Sequence, residues 1–378
     1  MLLQDRDDRS SEARSPEAVA NEARVLFRPL AVGAIQVSNR VFMAPLTRAR
    51  STDRTPNALM EEYYRQRASA GLIISEATAI SAEGYGWNGA PGAYTDAQME
   101  GWRRVTSAVH EAGGRMVLQL WHMGRVSHPD YLGGELPVAP SAIVAEGYAH
   151  TPTGHKPYVV PRALTTADIA RIVGDYAATA VRAREAGFDG VEIHGANGYL
   201  IDQFLRDSSN VRTDAYGGSI ENRSRFLLEV VEAVTAAWSP DRTGVRLSPT
   251  MNEKAMSDSD PIALFTHVAR SLNRFGLAYL HTAEAIRPGR LYNPDAPRVT
   301  PHIREAFEGV LVTNGGYGRD EAVRALTEGQ ADAIAFGQTF LANPDLPARL
   351  RVGAALNPSD PSTYYSSGPK GYVDYPAL

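Results

Sequence analysis

Short runs of consecutive apolar residues alternate along this chain with longer stretches whose apolar positions recur every three or four residues, and a glycine usually separates the two. L-I-I-S-E-A-T comes within a few residues of Gly71, R-M-V-L-Q-L-W-H of Gly113, V-E-I-H of Gly187, A-Y-L-H-T of Gly276, V-L-V-T-N of Gly309 and A-I-A-F-G of Gly329. Continuous apolar runs of this length predict strands of a parallel sheet covered on both faces, and the glycine ahead of each predicts a left-handed helix cap. Residues 41–44 and 245–247 add two more runs, so the pattern predicts eight strands.

Helical periodicity fills the intervals. A helix is expected over residues 58–70, behind Pro56, and Thr165-x-x-Asp168 reads as a capping box ahead of the stripe Ile169, Ile172, Val173 and Tyr176. Eight strands alternating with helices predict a closed (β/α)8 TIM barrel rather than an open sheet. Residues 123–161, rich in Pro, Gly and His, interrupt the alternation after the third strand. They predict a long capping excursion over the barrel mouth with a short hairpin, and a loop of that length is usually functional. Residues 1–24 are polar and without period, the pattern of a flexible N-terminal tail, and 25–378 read as one barrel domain.

Composition narrows the function without naming it. Among 378 residues, 43% hydrophobic and 21% charged is ordinary for a soluble enzyme, and a net charge of -5 with interspersed signs offers no nucleic-acid footprint. No run approaches the roughly 18 apolar residues of a membrane span, and the N-terminus lacks a secretory apolar stretch, so a cytoplasmic protein is expected. Zero cysteines exclude disulfides, thiolate metal sites and a cysteine nucleophile, and the nine histidines show no metal-ligand spacing.

The candidate chemistry lies where barrels keep it, at the C-terminal ends of the strands. Thr47, Glu76, Gln119, His122, His194, Arg246, His281 and Asn314 all fall there, and His194, Asn197 and Tyr199 stand within six residues of one another. His194 and Asn197 are three apart, so a chain that coils on leaving the strand would put both on one face. Arg246 inside such a layer serves a ligand or pairs with a loop carboxylate. Gly84-Tyr85-Gly86-Trp87-Asn88-Gly89 matches G-x-G-x-x-G but runs into Ala90-Pro91-Gly92 instead of a helix, so the dinucleotide motif fails on context. Asn314-Gly315-Gly316-Tyr317-Gly318, ahead of a helix from Arg319, is the better phosphate site, with Gly337 after the eighth strand completing it.

M-A-P-L-T-R at 43–48, S-E-A-T at 75–78, L-Q-L-W-H-M-G-R at 118–125, H-G-A-N-G-Y-L at 194–200, D-A-Y-G-G-S-I-E-N-R at 214–223 and G-Y-V-D-Y-P at 371–376 resemble the Old Yellow Enzyme family of FMN-dependent ene-reductases. Within it they resemble the bacterial branch that includes nitroester reductases. The resemblance implies non-covalent FMN, hydride from NADPH or NADH, an enone or nitro substrate, and a monomer or homodimer. It places Pro45, Leu46, Thr47, Ala77, Gln119 and Arg246 along the flavin, and Asn314, Gly315, Gly316, Gly337 and Gln338 toward its phosphate. His194 and Asn197 would polarise the substrate oxygen, and Tyr199 would protonate carbon. Trp87, Trp121, Tyr364 and Tyr365 would wall the substrate. Two positions depart from the family: Gln338 stands where an arginine usually faces the phosphate, and Trp87 where a smaller tyrosine is common. The residues alone also allow a flavin-free barrel enzyme on a phosphorylated substrate, or a barrel that binds flavin or ligand without turnover.

Overall fold

Residues 22–288 and 292–378 are described by a computed structural model. Eight parallel strands close on themselves: β1 (Val41–Met43), β2 (Ile73–Ile74), β3 (Met116–Trp121), β4 (Gly190–Gly195), β5 (Thr243–Leu247), β6 (Tyr279–Ala283), β7 (Leu311–Asn314) and β8 (Ala333–Phe336). Each pairs with the next and β8 pairs with β1, which makes the predicted (β/α)8 barrel. Every residue of β3 and β4 is buried, as expected of strands between an inner core and an outer ring of helices.

The ring comprises α1 (Ala58–Arg65), α2 (Asp96–Glu111), α3 (Thr166–Glu185), α4 (Leu200–Leu205), α5 (Ile220–Ala237), α6 (Pro261–Leu272), α7 (Thr300–Ala306), α8 (Arg319–Thr327), α9 (Gln338–Ala342) and α10 (Leu346–Val352). The capping box at Thr165 and Asp168 forms, and Ile169, Ile172 and Tyr176 of α3 are fully buried. The helix expected over 58–70 stops at Arg65. Beyond it the buried Arg67 guanidinium donates to the carbonyls of Tyr63 and Leu341, and the backbone tightens into turns. Gly113, Gly187, Gly276 and Gly329 take the left-handed conformation, but Gly71 and Gly309 do not. Gly71 is needed for space, since a Cβ there would lie 2.0 Å from the Asn39 carbonyl oxygen.

The excursion after β3 carries the expected hairpin, Tyr148–Thr151 against Gly154–Pro157. Of the stretch expected to be a tail, residues 1–21 lie outside the described residues. Ala23–Phe27 form a 3-10 turn with Ala23 and Leu26 buried, so the packed chain begins before residue 25. Among the described residues no helix is long and apolar enough to cross a membrane.

Candidate active site

Strand register brings the polar layer together. In parallel pairing, His194 of β4 lies beside Arg246 of β5, Arg246 beside His281 of β6, and Glu192 beside Gln119 of β3. Above this layer opens a cavity of about 740 Å³, within the size range of cofactor and ligand sites. Pro45, Leu46 and Thr47 line it after β1, Ala77 after β2, and Gln119 on β3. His194, Asn197, Tyr199 and Arg246 line it from β4 and β5. Asn314, Gly315, Gly316, Gly337 and Gln338 line it from the ends of β7 and β8, and Trp87, Tyr364 and Tyr365 from the rim.

Trp121 is the exception among the expected residues. It shares a strand face with Gln119, but its ring is buried and meets Tyr199 edge-on, with centroids 5.1 Å apart, and it is Tyr199 that reaches the cavity. Three members of the strand-end layer also stay out of the cavity. Glu76 accepts from the Tyr64 hydroxyl and the Arg48 N–H, and burial pushes its carboxyl up to about 7. His122 accepts from the Gly124 N–H, and His281 turns its Nδ1 to Glu192 at 2.8 Å.

His194 and Asn197 do converge, though not through a helical face. His194 ends the strand, while Asn197 takes a left-handed turn, φ 60°, that asparagine tolerates better than most residues. The Asn197 N–H donates to Ser248 Oγ at 2.7 Å and the Gly198 N–H to Asp202 Oδ2 at 2.9 Å, which fixes the turn. Burial, reinforced by the charges of Arg246, Lys254 and His281, holds the His194 imidazole well below its ordinary pKa. The ring is therefore neutral, and because its Nδ1 accepts from the Ala196 N–H its proton sits on Nε2. Tyr199 stands edge-on to His194, 5.1 Å between ring centres.

Beneath the floor lies a network that the sequence reading missed. Buried Glu192 accepts from Gln119 Nε2 at 2.7 Å, the Tyr279 hydroxyl at 3.0 Å and His281. Burial opposes its ionisation, but His281, Arg246 and Gln119 outweigh that and hold it below the usual carboxylate range. The available signal was an acidic residue inside the apolar run V-E-I-H. Also unforeseen are Arg287, which lines the glycine-rich end, and Lys254, whose Nζ lies 5.0 Å from the centre of the Tyr199 ring.

The donors present fit a flavin mononucleotide. At one end Gly315 takes φ 149°, and a Cβ there would lie 2.2 Å from the Glu284 carbonyl oxygen, so the backbone runs bare beside the start of α8. At the floor Arg246 Nη2 donates to Asn314 Oδ1 at 3.0 Å, which aims a buried guanidinium at the cavity. The buried Asn197 Oδ1 has no hydrogen-bond partner within the protein, which leaves a polar atom for a ligand.

Comparison with known proteins agrees with this geometry. Residues 25–357 match the model of the NADH:flavin oxidoreductase / NADH oxidase family. A Leishmania infantum protein named "probable flavin mononucleotide-dependent alkene reductase" is 46% identical over 376 residues, covering 96% of this chain and 100% of its own. The structure of the Old Yellow Enzyme homologue from Zymomonas mobilis superposes with a TM-score of 0.92 at 50% identity, covering 93% of this chain and 99% of that one. Morphinone reductase gives 0.89 at 49%, covering 93% and 96%. The chain is a flavin-dependent oxidoreductase of the barrel class. It belongs to the NADH:flavin oxidoreductase / NADH oxidase family.

Proposed function

We propose that this chain is an ene-reductase that works by a ping-pong cycle, taking hydride from NADPH or NADH and reducing the activated C=C bond of an enone or nitroalkene. The observation that carries the reading is the meeting, in one cavity, of a neutral His194, Asn197 and Tyr199 with the Arg246 and Gln119 floor. Bound FMN would supply the two-electron chemistry that links hydride from the nicotinamide to the substrate.

The protein's part is electrostatic and geometric. Arg246 holds a fixed, buried positive charge at the cavity floor, and with little reorganisation it would stabilise the negative charge that two-electron reduction of a flavin brings. Gln119, its N–H₂ turned to Glu192, offers the cavity its carbonyl oxygen. Pro45, Leu46, Thr47 and Ala77 shape the wall for the flavin rings. At the far end Gly315, Gly316 and Gly337 let backbone approach the phosphate, with Gln338 and Arg287 around it, while Asn314, expected there, is held between Arg246 and the Ala335 carbonyl.

His194 Nε2–H and the Asn197 amide bind the substrate oxygen and withdraw electrons from its double bond. Tyr199 delivers the proton to the carbon next to the activating group. Trp87, Tyr364 and Tyr365 at the rim exclude water and set the substrate's breadth.

The test begins with purified protein and FMN. Flavin absorbance together with NADPH oxidation that depends on 2-cyclohexenone is the expected result. Absence of flavin bands even with added FMN would favour the flavin-free barrel, and bound FMN without turnover a binding role.

A further inference from the structure

The loop after β5 brings a cation to Tyr199. Lys254 donates from Nζ to the Asn197 carbonyl at 3.2 Å, and the same ammonium lies 5.0 Å from the centre of the Tyr199 ring. Its charge also bears on His194. One side chain thus reaches all three residues assigned to substrate chemistry.

The loop is built to hold it. Lys254 and Ala255 both take left-handed φ, 62° and 57°, a conformation that residues with side chains rarely adopt. The buried Arg125 guanidinium secures both, donating from Nη2 to the Lys254 carbonyl at 3.1 Å and the Ala255 carbonyl at 3.2 Å. Further along, the Ser257 N–H donates to Ser208 Oγ, and Arg223 pairs with the buried Asp258.

Among the described residues, the other ionisable groups near Tyr199 are turned to partners of their own. His194 on β4 is neutral, and Arg246 on β5 donates to Asn314. Asp202, on the helix that Tyr199 begins, is occupied by Arg206 and the Gly198 N–H. Glu192 and His281 lie deeper in the barrel, bonded to each other, and the His122 ring is turned to the Gly124 N–H and Glu83.

We propose that Lys254 is a positioning residue that sets the acidity of the Tyr199 hydroxyl. The inference rests on the reading of Tyr199 as proton donor. In that step hydride from the reduced cofactor forms a C–H bond at the β carbon, and the C=C electron pair takes the Tyr199 proton at the α carbon. The O–H bonding pair stays on the phenolate, which water then reprotonates. A cation over the ring favours the phenolate over the phenol, so it makes the hydroxyl a stronger acid. The enzyme would thus protonate carbon faster at neutral pH than an unassisted tyrosine allows.

The holoenzyme is reduced with NADPH without oxygen and mixed with 2-cyclohexenone across a pH series, for the wild type and for K254M, K254R and Y199F. K254M should reoxidise about tenfold more slowly at neutral pH, the scale of one lost cation–π contact. Its alkaline limb should lie at higher pH, K254R should recover most of the rate, and flavin reduction by NADPH should be unchanged in both. A wild-type rate and limb in K254M, or equal slowing of both half-reactions, overturns the inference. If Y199F reoxidises as fast as the wild type, the proton-donor reading and the lysine's role fall together; a slow Y199F beside an unaffected K254M removes only the lysine.

Discussion

Gln119 donates its amide Nε2–H to Glu192 Oε1 at 2.7 Å, from one fully buried strand to the next. The bond decides which end of the amide faces the cavity, because a carboxylate can only accept. Glu192 in turn holds the Tyr279 hydroxyl and His281, so a single buried charge orders the floor.

Glu192→Gln should therefore destabilise the fold by about 2–4 kcal/mol, the scale of losing charge-assisted hydrogen bonds in the core. Because the folded protein holds Glu192 below its ordinary pKa, its contribution is fully present above the unfolded value. It is lost as pH falls through the folded one. Urea unfolding from pH 7 to pH 3 should show the wild type losing more stability than the variant over the acid range. Parallel curves would mean that Glu192 titrates alike in the folded and unfolded chain, so that the network gives its charge no net support.

Replacing His194 and Asn197 together by alanine should abolish binding of phenols while leaving FMN in place. Two hydrogen bonds to a charged or polarised oxygen are worth roughly 1.5–3 kcal/mol each. The measurement is a phenol titration followed by its long-wavelength charge-transfer band. Since His194 stays neutral well below its usual pKa, affinity of the wild type for a neutral enone should be flat across the neutral range. A rise in affinity as histidine protonates would contradict the neutral-donor assignment.

What could be read from the chain, and what could not, follows from the range of the interactions. The barrel strands were legible because burial on both faces leaves continuous apolar runs, and all eight formed. His194, Asn197 and Tyr199 were legible as polar residues crowded at one strand end, but a helical face was the wrong reason for their meeting. The turn depends on a left-handed Asn197 held by Ser248, 51 residues away. Glu192 was visible as an acidic residue in an apolar strand, yet its partners come from β3 and β6, and spacing along one strand cannot reveal them. Trp121 was expected as a wall from the resemblance alone, and only the packing of Tyr199 against it shows otherwise. Lys254 sits in a loop without periodicity, turned by Arg125 from another loop.

Tyr199→Phe should slow enone reduction by roughly 10²–10⁴-fold, the usual contribution of a general acid, and spare flavin reduction by nicotinamide. The ring's edge-on packing with Trp121 and His194 survives the change, so stability should move little. Separate stopped-flow traces of the two half-reactions distinguish the roles. Equal slowing of both would make Tyr199 structural.

The last expectation concerns the phosphate end, where the chain has Gln338 in place of an arginine. Gln338 Nε2 donates to the Tyr364 hydroxyl at 3.0 Å, which also pairs with Ser359 Oγ at 2.6 Å, so the amide is anchored to the rim. Arg319 offers no substitute charge there: it donates to the Leu350 carbonyl, pairs with Asp320 and does not line the cavity. Arg287 does line it, and a Cβ on Gly316 would lie 3.1 Å from the Arg287 Cγ. Its side chain is 48% exposed and pairs with Glu321, so water and that carboxylate both temper its pull. Arg287→Ala should weaken FMN about three- to tenfold at low salt, and less at high salt where screening has already reduced the attraction. Gln338→Arg should tighten FMN by a similar factor, because a guanidinium offers a phosphate two charge-assisted bonds where a glutamine offers neutral ones. Flavin-fluorescence titrations of the three proteins at two salt concentrations decide the matter. If Arg287→Ala binds FMN as the wild type does while Gln338→Arg binds it more tightly, the native site holds its phosphate on backbone N–H groups alone. If Gln338→Arg binds no better, the charge supplied by Arg287 already suffices.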